Sequence, residues 1–167
     1  MTTSTPHDRF DNDLLRDSLG GDWELVVKSK SLRNLAWICV GLIMALHIFM
    51  GVVVDMGDYT GAAITTLDKF AFPLIGMVFC VAPLQLLRTR VRVNSRGVEI
   101  CNFLAPHFYL WDDIHGLSFP EKARHARLEL PDFEFVPMWA MQKKDGKAVV
   151  KAVRRFRELE ERYMPEE

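Results

Sequence analysis

The sequence predicts an α+β membrane protein: a two-helix transmembrane hairpin leading into a small antiparallel β half-barrel capped by a C-terminal helix. Three observations carry that prediction. Residues 34–54 and 70–87 contain no Asp, Glu, Lys or Arg. At the stretch LLRTRVRVNSRGVEI the pattern changes from continuously apolar to alternating, the mark of a half-buried strand. From Lys147 onward, apolar residues recur at three, four and seven positions, as on an amphipathic helix.

The chain has 167 residues, a formal charge of −1 and a pI near 6.5. A protein that neutralises phosphates carries a basic excess, so nucleic acid is not an expected partner. Residues 1–21, with Asp8, Asp11, Asp13 and Asp17, are too polar to form a core and are expected to be disordered. Residues 22–33 begin DWELVVK and set Trp23, Leu25 and Val27 on one face. They are expected to form a cytoplasmic strand that joins the sheet of the C-terminal domain, because some eighty residues make a thin core alone.

Residues 34–54 are long enough as a helix to cross a hydrocarbon layer of about 30 Å, and residues 70–87 are near the lower limit. Lys28, Lys30 and Arg33 precede the first run, and Arg88, Arg90, Arg92 and Arg96 follow the second. The connecting residues 55–69 carry one basic residue, Lys69. Positive residues stay inside, which predicts a multi-pass protein of the cytoplasmic membrane with both termini cytoplasmic and 55–69 outside.

Gly41 and Ala45 in the first run, and Gly76 and Cys80 in the second, are small residues four apart that let helices approach closely. These faces fit either the hairpin's own seam or a surface for another membrane protein. His47 is the one imidazole at membrane depth and is expected to hydrogen-bond a neighbouring helix. A haem held by two imidazoles needs a second histidine, and the second run has none. Pro73 and Pro83 are expected at the early turns and at a kink of the second helix.

From residue 88 to 167 the pattern is that of the cytoplasmic domain. Val91 and Val93 alternate with arginines, and NSRG is a turn with Gly97 available for positive φ. Val98, Ile100 and Phe103 start the return strand. Further strands are expected over Phe108–Phe119, Arg127–Leu130 and Phe133–Met141, about five in all, with Pro131 and Asp132 forming a tight turn. Asp145 is placed to N-cap the final helix, whose apolar face is Val149, Val153, Phe156, Leu159 and Tyr163.

The segments RVRVNSRGVEICNFL, YLWDDIHGLSFP, ARLEL, FVPMWAMQ and AVVKAVRRFRELEERY, behind two membrane helices, resemble the actinobacterial membrane-anchored PH-domain proteins of the low-molecular-weight protein antigen type. The resemblance covers residues 22–163. It implies a PH-like fold, which serves lipid binding, docking and scaffolding alike. A phosphoinositide-binding PH domain bunches basic residues on its first hairpin loop, whereas the NSRG turn has Arg96 alone.

Chemistry is sparse. Asp112 and Asp113 are adjacent and point to opposite faces of a strand, and His107, His115 and His125 lie on separate segments. No HExxH, GxGxxG, Walker or nucleophile-elbow spacing occurs. Cys39, Cys80 and Cys101 have no metal-type spacing. No catalytic residue, metal or cofactor is expected, and the chain is read as non-enzymatic. Arg88, Arg90, Arg96, Lys143, Lys144, Lys147 and Lys151 are the residues expected to touch anionic phospholipid or a partner. That partner is a larger integral membrane complex, for which respiratory complexes and cell-envelope machinery both fit.

Overall fold

The computed structural model describes residues 22–55 and 66–164. The tail expected over 1–21 and most of the connecting loop lie outside the described residues. The chain divides into two units, residues 32–88 and the segments on either side of them.

The outer unit is built from two sheets and a helix. Strands β1 (Leu25–Val27), β2 (Arg90–Val93), β3 (Gly97–Cys101) and β4 (Pro106–Leu110) form an antiparallel meander in that spatial order. Strands β5 (Gly116–Ser118), β6 (His125–Glu129) and β7 (Phe135–Gln142) form a second antiparallel sheet. Helix α3 (Lys147–Tyr163) follows. Leu25 pairs with Val93 and Val27 with Val91, so the strand expected near Trp23 does join the sheet. Among the described residues the segment 88–167 holds six strands rather than about five, and β1 is the seventh.

Alternation decides what is inside. Val91, Val93, Val98 and Ile100 from the first sheet meet Ala126, Leu128, Met138 and Ala140 from the second. Helix α3 closes this core with Val149, Ala152, Phe156 and Leu159. Phe156 is fully buried, worth about 1.5–3 kcal/mol relative to exposure. Trp111 packs edge-on to Phe156 at 5.9 Å between ring centroids, and its indole N–H donates to the Asn94 carbonyl at 3.1 Å.

Four local expectations are corrected. The segment 108–119 is not one strand: a 3-10 turn at Trp111–Asp113 carries the chain from one sheet to the other, and Asp112 and Asp113 are both exposed on it. Gly97 does not adopt positive φ. Its requirement is room, because a Cβ there would clash with the Tyr109 carbonyl oxygen, and the NSRG turn is held instead by Asn94 Oδ1 accepting the N–H groups of Arg96 and Gly97, both at 3.0 Å. Phe103 lies beyond the return strand, in the β3–β4 loop. Phe133 belongs to a 3-10 turn, with φ 61° and its side chain fully exposed.

The inner unit contains nearly all of α1 (Lys30–Asp55) and α2 (Thr66–Leu84), which passes into a 3-10 turn at Gln85–Arg88. Both helices start four residues before the uncharged runs. Pro73 and Pro83 fall inside α2, the second one residue before its end, where a missing N–H and ring clash favour the change to 3-10 geometry. Both helices are long and apolar enough to cross a membrane.

The small residues of the helices divide. Gly76 faces His47, whose Cβ lies 2.8 Å from where a Gly76 Cβ would be, and the Cys80 thiol points at the Val40 carbonyl at 3.9 Å. Gly41 and Ala45 are exposed, and nothing lies within 4 Å of a Cβ built on Gly41. The His47 Nδ1–H donates to Ile43 of its own helix at 2.8 Å, not to a neighbouring helix, and its ring lies 5.8 Å from that of Phe79.

Candidate functional site

The β1–β2 connection is what an ordinary meander would make a turn; here it is the whole helical hairpin. Chain leaves the sheet at Val27, enters α1 at Lys30, and returns through Arg88 to β2 at Arg90. Cys101 lies opposite Arg90, so the β3–β4 loop (102–105) is at this same end of the sheet. The β7–α3 connection is there too, since Asp145 Oδ1 accepts the N–H of Ser31 in the first turn of α1 at 2.9 Å. Asp145 therefore does not N-cap α3, whose N-cap position is Gly146 at φ 55° without a side-chain bond. It caps α1, where unpaired N–H groups and the positive dipole end favour a carboxylate.

This end of the domain gathers part of the basic set. Lys143 and Lys144 precede Asp145 and are exposed, as are Lys147 and Lys151 on the first turns of α3; Arg88, also exposed, is the last residue of the other unit. Lys143 Nζ donates to the Glu121 carbonyl at 3.1 Å. Two expected members do not join. Arg90 is held by Glu99, Nε to Oε1 at 3.0 Å, and Arg96 sits in the β2–β3 turn at the opposite end of the sheet. On α3, Glu158 pairs with Arg155 at 2.8 Å.

Glu99 was not singled out by the sequence reading. It is fully buried, with Arg90 and, at 3.8 Å, Arg92 as its ion-pair partners. Arg92 also lies over the Trp23 ring at 5.4 Å. The signal available was the cross-strand pairing of a glutamate in GVEI with an arginine in RVRV. A second network ties β1 to α3: Glu24 meets Arg162 at 3.5 Å and Arg155 at 3.8 Å and accepts the Tyr163 hydroxyl.

Two apolar surfaces were also missed. Phe103 and Leu104 stand exposed on the β3–β4 loop, 41% and 66%, above a cleft of about 300 Å³ that reaches Tyr109 and Val136. Asn102 fixes this loop to β7 by donating to the Pro137 carbonyl at 2.6 Å and accepting the Trp139 N–H at 3.1 Å. At the far end of β7, Phe133 and Phe135 flank an open groove of about 500 Å³, with Arg127 over the Phe135 ring at 4.5 Å.

The titratable groups do not converge. His107, His115 and His125 lie on different elements, and among the described residues no group of three His, Cys, Asp or Glu is placed to hold a metal. Burial, and then Arg127, lower the His125 pKa. Burial raises that of Glu160, against the Leu117 N–H that Glu160 accepts at 3.1 Å.

Residues 88–159, which hold β2 to β7 and most of α3, match the family described as Bacterial PH domain. An uncharacterised protein of Mycobacterium bovis and its counterparts in two Mycobacterium tuberculosis strains are each 32% identical over 145 residues, which is 87% of this chain and 94% of the relative. The chain belongs to the bacterial PH-domain family. The family match begins at Arg88 and leaves out β1, which the hairpin separates from it. Its NSRG turn is thus the second connection of the PH-like sheet, and the first connection carries Lys28, Lys30, Arg33 and Arg88 near its ends. No solved structure matches.

Proposed function

We propose that this chain is a non-enzymatic docking subunit, an accessory or assembly component of a larger cytoplasmic-membrane complex. The observation that carries the reading is the replacement of the β1–β2 turn by two long apolar helices. With α1 and α2 spanning the bilayer, the PH-like domain is tethered at the inner leaflet through both ends of the hairpin. The distribution of Lys28, Lys30, Arg33 and Arg88 against the sparse charge of 55–69 supports cytoplasmic termini. Few side chains of either apolar stretch are buried, and Leu42 and Val78 are 66% and 71% exposed, which a core helix of a soluble protein is not. Gly41 and Ala45, turned away from the hairpin seam, offer a close-packing surface to another membrane helix.

The test is purification of the full-length protein in mild detergent followed by mass spectrometry. A stoichiometric integral membrane complex, respiratory or envelope-building, is expected; a monomer without partner contradicts the subunit reading. Labelling a Thr60→Cys variant from outside intact cells tests the orientation, and labelling only after lysis contradicts it.

A second reading is favoured by one observation, the exposed Lys143, Lys144 and Lys147 close to the start of α1. These suit anionic phospholipid headgroups at the inner leaflet. Charge reversal at the three lysines then weakens the effect of anionic lipid on the domain, and raised salt does the same.

A further inference from the structure

Phe103 and Leu104 occupy a place that gives their exposure a meaning. In the sheet register Val27 lies opposite Val91 and Cys101 opposite Arg90. Continuing each strand outward brings Ser29, Thr89 and Asn102 to about the same level, so the tip of the β3–β4 loop stands level with the residues just before α1 and just before β2. The loop sequence Asn102-Phe103-Leu104-Ala105-Pro106 carries no charge. Its base does not swing, because Asn102 spends its side-chain amide on Pro137 and Trp139 of β7. The same end holds exposed Lys143 and Lys144, cations that suit lipid phosphates.

We propose that Phe103 and Leu104 form an apolar wedge seated in the headgroup–acyl boundary of the bilayer that α1 and α2 cross. This rests on the membrane reading of the helices. An aromatic and a leucine at the tip of a tethered loop gain by leaving water, and the linkage to α1 and α2 keeps them within reach of lipid without a separate binding event. The wedge gives the domain a third point of attachment to the membrane beside the two covalent ones.

The test uses the full-length protein in nanodiscs of phosphatidylcholine and phosphatidylglycerol, with Cys39→Ala as background; Cys80 and Cys101 are buried. A nitroxide is attached at Leu104→Cys, at Val78→Cys on the exposed face of α2, and at Phe133→Cys on the far turn of the domain. Collision with oxygen, which concentrates in lipid, is compared with collision with a water-soluble nickel chelate. The expected result is a Leu104 label with an oxygen-to-nickel ratio severalfold above that of Phe133 and below that of Val78. A Leu104 label matching Phe133 while Val78 reads lipid overturns the wedge and leaves the membrane reading standing. Aqueous readings at both Leu104 and Val78 overturn both. A Leu104 label shielded from both reagents, as under a second copy or another protein, also overturns the wedge.

Discussion

Asp145 caps a helix whose second residue lies 114 residues earlier in the chain, its Oδ1 accepting the Ser31 N–H at 2.9 Å. The bond pins the end of β7 to the first turn of α1 and satisfies one of the N–H groups a helix start leaves unpaired. Asp145→Ala is expected to lower the stability of the domain by about 1 kcal/mol, and Asp145→Asn, which can still accept, by less. Thermal unfolding of the full-length protein in detergent, followed by near-ultraviolet circular dichroism, measures both.

The glycines at 97 and 41 should respond in opposite ways. Gly97→Ala puts a methyl group against the Tyr109 carbonyl, which must separate β3 from β4, at a cost of roughly 1–3 kcal/mol or more. Gly41→Ala meets nothing within 4 Å and improves helix propensity, so its unfolding midpoint stays level or rises. Comparing the two midpoints in one detergent checks the pair.

The buried Glu99 carboxylate depends on the guanidinium beside it. Arg90→Ala leaves it with Arg92 at 3.8 Å and no hydrogen bond on Oε2 among the described residues. A fully buried pair loses about 3–5 kcal/mol when one partner goes; Arg90 is a quarter exposed and Arg92 remains, so about 2 kcal/mol is expected. The double substitution Arg90→Leu with Glu99→Leu should recover much of that loss, and a loss as large as in the single variant counts against a desolvation origin.

Glu160 makes stability depend on pH. Burial raises its folded-state pKa above the ordinary carboxyl value of 4.5, outweighing the Leu117 N–H and Arg157. Between the unfolded and folded values the folded chain holds the extra proton, so this contribution is full below about 4.5 and is lost as pH rises through the folded pKa. His125 acts oppositely. Its lowered pKa leaves the unfolded chain holding the extra proton, so its contribution is present above about 6.5 and lost as pH falls through the folded value. Glu160→Gln should remove the first dependence and leave the second, as read from unfolding midpoints across pH 4–8.

Residues 88–167 alone lack the strand that pairs with β2 and should expose that edge. Residues 22–29 joined by a short flexible turn to 89–164 restore it. The joined form is expected to be monomeric and cooperative in unfolding, and the shorter one to aggregate or melt lower, as gel filtration and calorimetry would show.

Where side-chain pattern alone sets structure, the sequence was readable. The uncharged runs became α1 and α2, the alternation in RVRV became β2, and the Val149, Phe156 and Leu159 spacing became the buried face of α3. Contacts between distant segments were not readable. Asp145 sits where a local N-cap belongs, yet its partner is Ser31, and Gly97 looked like a φ requirement but serves close approach by β4. The YLWDDI stretch has strand-like residues throughout; tertiary packing of Trp111 under α3 folds it into a 3-10 turn. The basic residues were found, but their grouping was not, because Glu99 claims Arg90 and the meander sends Arg96 to the other end.

The separation of β1 from β2 by the hairpin bears on biogenesis. Leu25–Val27 is synthesised before either apolar helix, and its partner Arg90–Val93 after both. With the helices in a bilayer, the two strands share a compartment when both helices have crossed; one missed crossing strands them on opposite faces, and the sheet never closes. Correct insertion is thereby a precondition for a protease-resistant domain, and quality control can act on mis-inserted copies through the unpaired edge they expose.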